Sequence, residues 1–170
     1  MSLASVACGD DGGAGGSSST ASDESTGDAP FDEAAVIEQA GTFATTLVKI
    51  NAMPFPSQHG LADMVNVYVD AGAADLYRAL ALAAPVEVDL PEGTLLVKEH
   101  LDMAGAYDGY LMMYRGPAGY APETDDWFWA RIDGSGTTQE TGPSGAVNFC
   151  IGCHTSAPSF VFGVAADNKL

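Results

Sequence analysis

Two thiols two residues apart, with an imidazole directly after the second, stand at Cys150, Cys153 and His154 in the stretch "FCIGCHTS". This C-x-x-C-H spacing is the c-type haem attachment pattern: both sulfurs add to vinyl groups of the porphyrin, and the adjoining histidine is carried beneath the ring as proximal iron ligand. Two other chemistries use the same residue types. A thioredoxin-like dithiol wants a βαβ setting, and a structural zinc site wants four ligands, which here would have to recruit His59, His100 or a carboxylate. The neighbouring sequence supplies neither a second clip nor a βαβ pattern, so the spacing points to haem c and its iron.

No methionine follows His154, so the thioether that completes many electron-transfer haems has no downstream source. The sixth iron position is then filled by an upstream group or left open to a small molecule. Met103, Met112 and Met113 are upstream thioethers, but adjacent methionines on a strand point to opposite faces, and core filling is their ordinary role. His59, in "SQHG", and His100 are candidates for the distal side or the pocket wall. Trp127, Phe128 and Trp129 are expected to pack a sheet and wall the pocket, and Phe160 and Phe162 to cover its proximal side.

These groups must be held by elements that the periodicity of the chain indicates. In "APFDEAAVIEQAGTFATTLVKI" the residues Phe31, Val36, Ala40, Phe43, Leu47 and Ile50 recur at helical spacing, after Asp28 and Pro30 and with acids in the first turn, which predicts one amphipathic helix. "DMVNVYVD" alternates, with Val65, Val67 and Val69 on one side and Asn66 and Tyr68 on the other, as a half-buried strand does. "AGAADLYRALALAA" returns to helical spacing. "TLLVKEHL", "YLMMYRG" and "WFWARID" then read as three further strands bounded by Gly, Pro, Asp or Asn. The connections leave no room for crossover helices, which predicts an α+β fold with a mainly antiparallel sheet and flanking helices, the haem lying against the sheet. In the strand "TLLVKEHL" the residues Leu96, Lys98 and His100 share one face.

Charge removes whole classes of partner. With 23 acidic against 6 basic side chains among 170 residues, a net charge of −17, there is no basic stripe for nucleic acid or an anionic membrane surface. A basic redox protein is the macromolecular partner such a surface suits. Residues 9–29, "GDDGGAGGSSSTASDESTGDA", are small or acidic throughout and are expected to be a flexible linker. Before them, "SLASVAC" at 2–8 is similar to the end of a bacterial lipoprotein signal, with Cys8 as the lipidated residue, although Ser5 stands where leucine is usual and most of the apolar region is missing. The expected organisation is therefore a signal-like segment 1–8, a linker 9–29 and one folded domain 30–170. That arrangement implies export to the bacterial envelope, with a membrane tether through Cys8.

Taken together, "HGLADMVNVYVD", "LPEGTLLVKE", "DWFWARID" and "NFCIGCH" followed by "FVF" resemble the cytochrome P-460 and cytochrome c′-β family, over residues 55–163. The resemblance implies an antiparallel sheet carrying a five-coordinate haem with an accessible distal face, commonly in a homodimer. Members bind nitric oxide and similar small ligands or oxidise hydroxylamine. It also implies that Lys98 is the lysine that cross-links to the haem edge in the hydroxylamine-oxidising relatives. Two of their pocket groups are replaced: Val65 stands where they have an arginine, and Ala118 falls near their distal carboxylate. Loss of that base favours reversible binding of a nitrogen oxide over N–H oxidation. Hydroxylamine oxidation, favoured by Lys98, and simple electron transfer remain the alternatives.

Overall fold

The computed structural model describes residues 31–82 and 86–170. The signal-like segment with Cys8 and the linker 9–29 lie outside the described residues.

The expected first helix is split. Helix α1 spans Glu33–Ala40, opened by Asp32, whose carboxylate accepts from the Ala35 amide at 3.0 Å, with Glu33 in its first turn; both acids satisfy or complement the free amides there. After the Gly41–Thr42 turn a single further turn, α2, spans Phe43–Thr46. The hydroxyls of Thr42, Thr45 and Thr46 bond back to the Gln39 and Thr42 carbonyls. Such local bonds compete with helix propagation, and the β-branched Val48 and Ile50 suit an extended chain better. The backbone accordingly straightens into strand β1, Val48–Lys49.

The remaining strands are β2 (Phe55–Pro56), β3 (Met64–Val69), β4 (Leu95–Leu101), β5 (Tyr107–Arg115), β6 (Trp127–Asp133) and β7 (Thr138–Gly142). They form one antiparallel sheet in the order β1-β3-β4-β5-β6-β7, with β2 pairing beside β1 along β3. The mainly antiparallel α+β architecture expected from the sequence is what the chain adopts. Helix α3 is short, Ala74–Ala79, and α4 spans Asn148–His154.

Each face of the sheet has its own cover. Val36, Ala40 and Phe43 from α1 and α2 pack over Leu95, Val97, Tyr110, Met112, Phe128, Ala130 and Ile132. The opposite face presents Val67, Val69, Leu96, Met113, Trp127 and Trp129 to α3 and to the segment after β7, through Tyr77, Leu80, Val147, Val161 and Val164. Burying a side chain of this size is worth about 1.5–3 kcal/mol, so both covers are held firmly. The period of two thus separates Phe128 from Trp127 and Trp129. Phe128 belongs to the α1 side and cannot wall a site on the other face, which corrects its expected role.

Asn66, on the polar side of β3, is also buried. Asn66 is bonded by Asn51, whose Nδ2 donates to Asn66 Oδ1 at 2.8 Å while its Oδ1 accepts from the Val67 amide at 2.7 Å. Asn66 Nδ2 in turn donates to Glu99 Oε2 at 2.7 Å. This network replaces the solvent expected on that side and pins β3 to the preceding chain.

Behind α3 the C-terminal segment is tied down by the Tyr77 hydroxyl, which donates to the Phe162 carbonyl at 2.7 Å. Gly163 makes the crossing possible: a Cβ there would lie 2.6 Å from the Leu80 carbonyl oxygen. Any larger residue would push the segment off the helix.

Candidate functional site

Helix α4 carries Cys150, Cys153 and His154 and packs Cys150 and Ile151 against the Trp129 face of the sheet. Both cysteines are free thiols; Cys150 is half-buried and Cys153 exposed. Burial raises the pKa of the Cys150 thiol, and Glu140 adds to the effect. Cys150 is therefore presented as a neutral thiol, one turn of α4 before Cys153, with His154 closing the helix.

His154 is held on three sides. Its ring meets Trp129 edge-on at 4.8 Å and Phe162 at 5.3 Å, and its Nδ1 lies 2.6 Å from the Phe160 carbonyl oxygen. A carbonyl oxygen can only accept, so Nδ1 carries the ring proton and Nε2 keeps a free lone pair. Burial lowers the His154 pKa to about 4, against the opposing pull of that hydrogen bond. The result is a neutral imidazole of fixed tautomer, the form in which histidines ligate metals.

The Phe160 carbonyl is aimed by unusual backbone. Ser159 and Phe160 both have left-handed φ, 53° and 59°, a conformation that costs roughly 1–2 kcal/mol per non-glycine residue. The corner is stabilised by Trp127, whose indole Nε1 donates to the Ser159 carbonyl at 3.1 Å, and by the Val88 amide on Ser159 Oγ at 3.2 Å.

Two adjoining cavities open beside His154, of about 70 Å³ and about 300 Å³. The smaller is lined by Leu96, Met113, Trp129 and Cys150, the larger by Phe55, Gln58, His59, Leu82, Cys153 and Gly163, and both by Val67, Tyr77, Lys98, His154 and Phe162. The larger lies at the low end of the ~300–1,000 Å³ typical of ligand pockets. Cys150 thus borders the smaller cavity, Cys153 the larger, and the imidazole of His154 both, so that α4 edges a concavity in two parts.

Lys98 faces this concavity, as the phase of β4 implies. It sits opposite Val67 on β3 and Leu111 on β5. Burial pulls its pKa down, with the Cys150 and Cys153 sulfurs acting the other way, and it forms no ion pair among the described residues. His100 lies on the same side of β4, at an irregularity in the β4–β5 pairing between Glu99 and Leu101; such bulges re-aim side chains beside sites. It is almost wholly buried, 3% exposed, and its ring packs on that of His59 at 5.4 Å, tilted by 55°. Burial lowers the pKa of each to about 4.

Val65 and Ala118, placed at the pocket by the resemblance, line neither cavity. Val65 is buried in the sheet between Phe55 and His100, and its neighbour two residues on, Val67, is the wall residue. Ala118 is exposed in a turn fastened by Asp126, whose carboxylate accepts from the Gly119 and Ala121 amides. Met103 is also exposed, at 78%, whereas Met112 and Met113 split between the two faces as adjacent strand residues must. Val67 and Tyr77 were not singled out from the sequence. Counting two along β3 from Val65 would have found the first, while the second needs the docking of α3.

No family model matches this chain, and no curated protein matches it.

The donor set can be tested against the chemistry its spacing suggests. Among the described residues no three His, Cys, Asp or Glu side chains converge into a metal-chelating group, whereas haem iron asks the protein for one imidazole and the macrocycle for the rest. Two nitrogens of cavity-lining residues, His59 Nε2 and Trp129 Nε1, are buried without a hydrogen-bond partner among the described residues, as is Nε2 of His100 behind His59. Buried polar atoms in folded proteins are normally paired, so unpaired nitrogens on these walls fit a site that takes another group. An apolar cleft with two thiols at its rim and one neutral imidazole in its wall fits a covalently held haem.

Proposed function

We propose that this chain is a c-type haem protein of the envelope that binds nitric oxide or a related small nitrogen oxide. Cys150 and Cys153 hold the macrocycle as thioethers, and His154 Nε2 is the proximal iron ligand. When bound, the haem supplies reversible coordination of a small neutral molecule and one-electron chemistry. The protein's residues do the rest. Phe160 fixes the imidazole through its carbonyl, Trp129 and Phe162 fix the ring plane, and the sheet face through Val67, Leu96 and Met113 keeps water from that side. The observation that carries this reading is the His154 geometry: a lone pair at Nε2, set by the 2.6 Å contact at Nδ1, on the wall of two adjoining cavities, one bordered by Cys150 and the other by Cys153.

A second reading is favoured by Lys98. Its amine lines both cavities, has no counter-ion and is held away from its charged form. A bond from Nζ to the macrocycle edge would relieve that burial, as the resemblance implies, and would go with oxidation of hydroxylamine and transfer of electrons to a basic redox partner. The site also contains His59, so its distal side is less apolar than the Val65 and Ala118 substitutions suggest.

Export and a lipid tether through Cys8 remain part of the proposal; none of the described helices is long and apolar enough to cross a membrane. The discriminating experiment loads the full chain with haem in a maturation-competent host and titrates the ferrous protein with nitric oxide. One equivalent bound by a five-coordinate resting form supports ligand binding. A six-coordinate resting form with a protein ligand would move the assignment to electron transfer, and turnover of hydroxylamine with an artificial acceptor would move it to the Lys98 reading.

A further inference from the structure

His59 sits in the loop between β2 and β3, and its protonation pattern follows from its neighbour. Ser57 Oγ lies 2.8 Å from the His59 carbonyl oxygen, so the single hydroxyl proton is donated there, because the carbonyl can only accept. The same Oγ is then an acceptor towards the His59 amide at 3.3 Å and towards Nδ1 at 3.2 Å. Nδ1 must therefore hold the ring proton, and Nε2 is a bare lone pair. That atom is buried with no partner among the described residues, on a residue that lines the larger cavity together with Lys98 and His154.

We propose that His59 is the proton acceptor of this cavity, taking the ionisable hydrogen of a small protic ligand as it binds, a step that nitric oxide, which has no hydrogen, does not use; the inference rests on the haem reading above. In that step the bond from hydrogen to the ligand's heavy atom breaks, and its electron pair stays with the ligand, which binds as the anion. The proton forms a new N–H bond at Nε2, so no oxidant or reductant is required. His100 is a positioning residue. It is almost wholly buried, lines neither cavity, and its ring packs on that of His59 at 5.4 Å.

The other groups around the cavity do not take over this role. No Asp or Glu is among its lining residues. His154 turns its free nitrogen to the iron in the present reading, and Lys98 is buried deeper than His59 and has no counter-ion among the described residues, so a proton taken there would leave an unpaired buried ammonium. The groups that face His59 are therefore His100 and Lys98 from β4 and His154 from α4. Burial and Lys98 hold the His59 imidazolium at a pKa of about 4, so the proton is bound weakly and returns when the ligand leaves.

The test uses the haem-loaded full chain and two probes, one that must lose a proton and one that has none. Hydrogen cyanide association with the ferric protein is compared with carbon monoxide association with the ferrous protein. His59→Gln is expected to lower the cyanide-to-carbon-monoxide rate ratio by about 100-fold, the low end of what a positioned base contributes. Ser57→Ala, which frees Nδ1, should lower it less, and the wild-type cyanide rate should fall as pH drops towards about 4. An unchanged ratio in His59→Gln overturns the proposal, as does equal slowing of both probes, which would mean that His59 only shapes the cavity. A protein without haem would overturn the underlying reading instead, and its spectrum would show that before any ligand is added.

Discussion

His154 Nδ1 lies 2.6 Å from the Phe160 carbonyl oxygen, and this contact decides which ring nitrogen faces the cavity. The carbonyl reaches it only because Ser159 and Phe160 both turn through left-handed backbone. The chain bends back on the histidine within six residues, so His154 and the group that orients it are one local unit, docked on Trp127 and Trp129 of β6.

Trp127 anchors that unit by donating to the Ser159 carbonyl at 3.1 Å. Trp127→Phe leaves a carbonyl unpaired and is expected to destabilise the fold by about 1–3 kcal/mol, measured by urea unfolding. A change below about 0.5 kcal/mol, the size of an ordinary surface substitution, would show that the corner holds itself.

Stability should fall in acid over a defined window. His59, His100 and His154 have their folded pKa values lowered to about 4 from an unfolded 6.5, chiefly by burial. The unfolded chain therefore binds more protons between these values, and stability rises with pH across them. In the haem-free protein their contribution is complete above pH 6.5 and lost as pH falls through about 4. Urea midpoints measured from pH 7 to 4 should decline, and His100→Gln should flatten the decline. A midpoint that holds steady to pH 4 would contradict the buried, neutral state of these rings.

Lys98 is a cost to the empty fold. Lys98→Met keeps the length of the side chain and removes an amine that has no counter-ion among the described residues, so the haem-free variant should be more stable by about 1 kcal/mol. In the haem-loaded protein the same change should abolish any lysine-dependent shift of the absorption bands. Loss of stability would mean that the amine has a structural partner instead.

The strands and their inward faces were legible in the sequence because apolar alternation with period two is a direct signal. Val65, Val67 and Val69, or Leu96 and Lys98, announce their side of the sheet without any tertiary information. The split of the first helix was not, since Phe43, Leu47 and Ile50 keep helical spacing while Gly41 and the threonines break the helix. Nor was β7, whose "TQETG" carries no apolar pattern and pairs only because β6 offers it an edge. The Phe160 contact was hidden for another reason: Ser159 and Phe160 are not residues that ordinarily mark left-handed turns. The pairing of His59 with His100 appears only once β2, β3 and β4 are in register.

The buried amides make a separate prediction. Asn51 bonds Asn66, the Met53 carbonyl and the Val67 amide at once. Asn51→Ala orphans several of these and should cost about 3 kcal/mol in urea unfolding, without altering the absorption spectrum of the loaded protein. A spectral change would place Asn51 within reach of the site.

The central claim is tested most directly by the mass of the polypeptide after expression with haem-maturation machinery. The account predicts a denatured chain heavier by one haem, with Cys150→Ser/Cys153→Ser abolishing both the added mass and the colour. A colourless protein of unmodified mass with both thiols still free to alkylation would contradict it.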